Sequence, residues 1–135
     1  MALSAQEALI HLMIVAASSD AAMSDQELSR IETLTGEAPV FAGFDRSRLP
    51  AIANQAIDAI NGATGLDGVL DAAIDALPPR LQDTAYALCV EVVANDLHLE
   101  QEELRLLEMI RDRLPLDRLT TAAIEVAARA RYRKA

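Results

Sequence analysis

The chain has 135 residues, 52% of them apolar, with only 3% aromatic residues and no Trp. That is the length of one domain with a real core, built from Ala, Leu, Ile and Val rather than from rings. The formal charge of −9 repels phosphate backbones, which excludes nucleic acid as an expected partner and favours cations or basic partners.

Ser4-Ala5-Gln6-Glu7 is a capping box, so helix 1 should start there and run to about Ser19. It is apolar nearly all round and should be buried. Ser24-Asp25-Gln26-Glu27 is a second capping box, opening a helix that ends near Gly36. Glu37 to Phe44 reads as a connection whose Val40, Phe41 and Phe44 tuck onto the core. Helix 3 should cover about Leu49 to Ile60, with Ile52, Ala53, Ala56, Ile57 and Ile60 at helical spacing. Asn61-Gly62 stops it, and helix 4 should cover about Leu66 to Leu77.

Pro78-Pro79 is a hard break, after which helix 5 should run from the prolines to about Asn95. Helix 6 should span about Glu100 to Arg113, and helix 7 should begin near Leu116 and end in RARYRK, where basic residues suit the helix dipole. No segment alternates as a strand does. The expected fold is all-α, a single bundle of about seven helices over residues 1–135, with helices 1 and 5 in the middle.

The sequence also repeats itself. Leu12 to Glu32 and Leu88 to Glu108 align at a shift of 76 positions, matching Leu12 with Leu88, Asp20 with Asp96, Glu27 with Glu103, Leu28 with Leu104 and Glu32 with Glu108. Two helix–loop–helix units result, about 4–36 and 79–113, expected to pack about an approximate twofold. Each has an acidic corner: an Asp, an apolar residue three later (Met23, Leu99), and a Glu seven after the Asp.

Two readings of the corners stand side by side. In one, Asp20 and Asp96 accept backbone N–H groups of their loops, and Glu27 and Glu103 favour the N-terminal ends of the helices that follow. In the other, Asp20, Glu27, Asp96 and Glu103 converge on one hard cation, calcium or magnesium ahead of zinc. The loops are not EF-hands: Ala22 and Ser24 follow Asp20, and the twelfth position is Ile31. His98 would shift the preference toward zinc if it were a ligand, though a loop His is more often solvated.

The doubled string resembles the TerB-like family (the tellurite-resistance protein TerB and the related N-terminal region of DjlA-type co-chaperones). The matches to its A-D-G-x-I-S-x-x-E pattern are Asp20, Met23, Ser24 and Glu27 in the first copy, with Asp96, Leu99, Glu103 and a displaced Ala94 in the second. The family's glycine after the Asp is Ala21 in one copy and Leu97 in the other. The resemblance covers about Glu7 to Arg113. It implies a helical bundle, bacterial origin, a stress- or metal-linked role, and a cation site at the matched acids; the leading expectation is a module that is not an enzyme.

The remaining residues are bland at this level. The single Cys89 lies in an apolar run and reads as a buried thiol in a reducing compartment. His11 reads as a buried or edge His with a backbone partner. Glu32 and Glu108 repeat, and read as a solvated face. Tyr86 and Tyr132 are too few to stack bases. No signal peptide or bilayer-length apolar run is seen, so a cytoplasmic protein without direct membrane insertion is expected. A protein partner is expected, and a homodimer could use helix 3 or helix 4. The alternative function is a plain helical adaptor whose acids only cap helices.

Overall fold

The computed structural model describes residues 3–18, 25–94 and 101–135, with the side chains of all of these except residues 101–103. Among the described residues there are seven α-helices and no strand. They are α1 (Ala5–Ala17), α2 (Asp25–Glu37), α3 (Leu49–Ile60), α4 (Gly65–Asp75), α5 (Gln82–Ala94), α6 (Gln101–Arg113) and α7 (Arg118–Tyr132). None is long and apolar enough to cross a membrane.

The central helices are the ones with no polar face. Every residue of α1 from Ala8 to Ala17 is buried, and α5 buries Ala85, Tyr86, Leu88, Cys89, Val90, Val92 and Val93. A helix without a polar side can only be covered all round, so α1 and α5 pack against each other and the rest wrap them. The second helices each touch both central ones: α2 packs more on α5 than on α1, and α6 packs on α1 and on α5. The surroundings differ otherwise, since α3 and α4 cover α1, whereas α7 lies on α5.

The apolar spacing of α3 and α4 serves the core. Leu49, Ile52, Ala53 and Ala56 are buried in α3, and Val69, Leu70 and Ala73 in α4, so these residues are not an open dimer surface. Phe41 is buried and meets Phe44 edge-on at 5.8 Å, with Val40 and Phe44 packed against the core as expected. Pro39–Phe41 forms a tight 3-10 turn there.

Several boundaries moved for local reasons. Pro79–Leu81 is a 3-10 turn, so α5 proper begins at Gln82 rather than at the prolines. Leu77 lies past the end of α4 but is still buried. α7 begins at Arg118 rather than Leu116, because Asp117 caps it and accepts the Thr120 N–H at 2.7 Å. The first capping box forms in full: Glu7 N–H donates to Ser4 Oγ at 3.1 Å, and Ser4 N–H donates to Glu7 Oε1 at 2.9 Å. Ser24, the cap expected for α2, lies outside the described residues.

Candidate functional site

Three of the four sequence-selected acids fall on undescribed parts of the chain. Asp20 and Asp96 lie outside the described residues, as does His98, and Glu103 belongs to α6 with its side chain outside them. Glu27 is half-buried in the first turn of α2, with one carboxylate oxygen out of solvent contact. Among the described residues, no group of three or more His, Cys, Asp or Glu side chains could hold a metal ion.

The helix ends that flank the corners are well placed. Arg30, three residues after Glu27, donates from Nη2 to Glu91 Oε2 at 3.1 Å. Glu91 lies three residues before Ala94, the last residue of α5. The start of α2, which follows the first corner, is therefore fastened to the end of α5, from which the second corner departs. Ser18, just past α1, and Leu106 of α6 line one pocket with Ile14, Ile57 and Ile60. Each central helix thus ends beside the other unit's second helix.

Glu91 has further partners. Tyr132 donates its hydroxyl to Glu91 Oε2, and the Arg131 guanidinium pairs with Oε1. The Arg30 guanidinium sits over the Tyr132 ring, 5.0 Å from its centroid. One carboxylate on α5 therefore gathers α2 and α7. A second carboxylate repeats the device in reverse: Tyr86 of α5 donates to Glu125 Oε2 of α7 at 2.5 Å, and Arg111 of α6 approaches the same oxygen at 3.5 Å. The chain's two tyrosines thus lock α5 and α7 reciprocally, each on a carboxylate that also takes an Arg.

Sequence reasoning weighed the tyrosines only as stacking surfaces and missed this clasp. A signal existed. Glu91 is the only charged residue between Asp83 and Asp96, and Glu125 the only one between Arg118 and Arg129. A lone carboxylate in an apolar helical run is seldom buried without a partner.

Beside the clasp lies a cavity of about 170 Å³ between α5, α6 and α7, walled by Val90, Val93, Leu107 and Ala128, with Glu108 and Arg129 at its edge. The other singled-out residues are structural. Cys89 is a free, buried thiol whose pKa burial pushes up to about 12, so it stays protonated and unreactive at neutral pH. His11 is buried, but its Nε2 makes no hydrogen bond within the protein, so the expected backbone partner is not found there. Glu32 and Glu108 are exposed, as a solvated face requires.

No protein-family model matches the chain, and neither a curated protein nor a solved structure matches it.

Proposed function

We propose that the protein is a non-catalytic, TerB-like bacterial module of the cytoplasm, which binds a divalent cation at its paired acidic corners and works through protein interactions in a stress or metal response. The four ligands are Asp20, Glu27, Asp96 and Glu103, with calcium or magnesium preferred to zinc for an all-carboxylate set. The reading takes the two corners to adjoin about an approximate twofold. One observation carries it: the Arg30–Glu91 bridge at 3.1 Å, which fastens the helix leaving one corner to the helix entering the other. The packing of α2 on α5 and of α6 on α1 supports the same arrangement.

A cation shared by the corners would fix the angle between the two units, and so the shape offered to a partner. It would also stabilise the fold, by about 2.7 kcal/mol at a hundredfold excess over Kd. The test is a melting curve after chelation, repeated with calcium, magnesium, manganese and zinc. A rise in Tm that disappears in the Asp20→Asn/Asp96→Asn double variant is the expected result. If no metal moves the curve, the corners only cap helices and the plain adaptor reading replaces this one.

A further inference from the structure

The outer face of α7 stands out because it is apolar where a surface helix should be polar. Leu119, Ala122, Ala123, Val126, Ala127 and Ala130 recur at the three- and four-residue spacing of one helix face, and all six are exposed. Leu119 is 81% and Val126 55% exposed. The opposite face, with Thr121, Ile124, Glu125, Ala128 and Tyr132, is the one turned to α5. α7 is therefore apolar on two sides, and only one of them is used within the chain.

The charges beside that face say what could cover it. Arg118 and Arg129 are exposed on one flank of α7, with Arg133 and Lys134 just past its end, in a chain whose net charge is −9; Arg131, on the other flank, is already paired with Glu91. The only carboxylate within α7, Glu125, is half-buried and taken by Tyr86 and Arg111. A second copy of the chain is a poor occupant. In an antiparallel pairing of two α7 helices about a twofold, a flank meets the same flank of its mate, so Arg118 faces Arg129. There like charges oppose, which the flanks of paired helices normally avoid. In a parallel pairing, Arg129 faces Arg131, whose partner is already Glu91, so the mate offers Arg129 no carboxylate. The alanines leave room for another helix backbone to come close, and an open groove where Leu119 and Ala123 meet Asp83, Thr84 and Ala87 of α5 extends the face, its one acid lying at the N-terminal end of α5.

We propose that this face of α7 is the docking site for an acidic amphipathic helix of another protein. Leu119 and Val126 are the apolar anchors, two turns apart, and Arg118 and Arg129 hold carboxylates on the near flank of the incoming helix. The inference stands apart from the acidic corners, since it needs no cation.

The experiment uses the full chain in chelator, so that failure here is separate from failure at the corners. The probe is a fluorescent helical peptide of about 18 residues with a Leu stripe and Glu flanks, alongside a control with Lys flanks. The acidic peptide should bind, the basic one should not, and salt raised from about 0.05 to 0.5 M should weaken binding at least about tenfold. Leu119→Asp should cost at least about tenfold with an unchanged melting curve, as befits an exposed residue. Arg118→Glu with Arg129→Glu should reverse the preference toward the basic peptide. Equal binding of both peptides, or of neither, overturns the proposal. So does concentration-dependent dimerisation abolished by Leu119→Asp, or binding to phosphatidylserine vesicles without binding to the acidic peptide.

Discussion

Tyr86 shows how a polar atom can sit in a core of this kind. Its ring is 1% exposed, and its hydroxyl reaches Glu125 at the protein's edge. Burial, and then the bond to Glu125, push its pKa well above the ordinary 10. The sign follows directly. The unfolded chain loses this proton first, so the stabilisation is complete below about pH 10 and is lost as pH rises toward the folded value. Tyr86→Phe should therefore cost about 1–3 kcal/mol at pH 7. Its deficit against the wild type should shrink above about pH 10 in denaturant titrations. Cys89 adds an alkaline slope of the same sign to both proteins. A deficit constant with pH would remove Tyr86 from this role. His11 acts at acid pH: burial lowers its pKa from 6.5 and Glu7 partly opposes this. Its neutral form therefore contributes stability above about pH 6.5 that is lost as pH falls through the folded value.

Among the elements, start signals decided most boundaries, and they are local chemistry. The Ser4–Glu7 box was readable because both partners lie within four residues, and Asp117 fits the same logic in hindsight. The start of α4 depended on backbone conformation instead. Gly65 has φ +60°, a region open to glycine at little cost, so the helix begins one residue before the apolar pattern does. Gly68 is required for a different reason: a Cβ there would overlap Thr64 Oγ1 and Cβ. Helix propensity alone would credit Gly68→Ala with up to about 1 kcal/mol of stabilisation. The collision predicts the reverse, a lower Tm and midpoint of urea unfolding. An unchanged or higher Tm would show that Thr64 yields freely.

At the scale of the molecule, long-range carboxylate–arginine pairs fix how helices meet. Arg30–Glu91 joins α2 to α5, and Arg113 joins α6 to α4 through Asp71 at 2.6 Å and Asp67 at 2.5 Å. The second set lies near the surface, where such pairs contribute about 0–1 kcal/mol. The first is more shielded, with side-chain exposures of 22% and 13%, and shares Glu91 with Tyr132 and Arg131. A double-mutant cycle of Arg30→Ala and Glu91→Gln should give a coupling of about 0.5–3 kcal/mol. Additive losses would mean that packing alone sets the α2–α5 contact. By itself the sequence determined the helices and the burial of α1 and α5, because apolar periodicity and caps act over a few residues. Only the tertiary structure decided that α2 packs more on α5 than on α1, that two tyrosines clasp α5 to α7, and that α7 turns an apolar face outward. Those depend on which of two apolar faces meets a neighbour, and on pairs up to 61 residues apart, which no local pattern can rank.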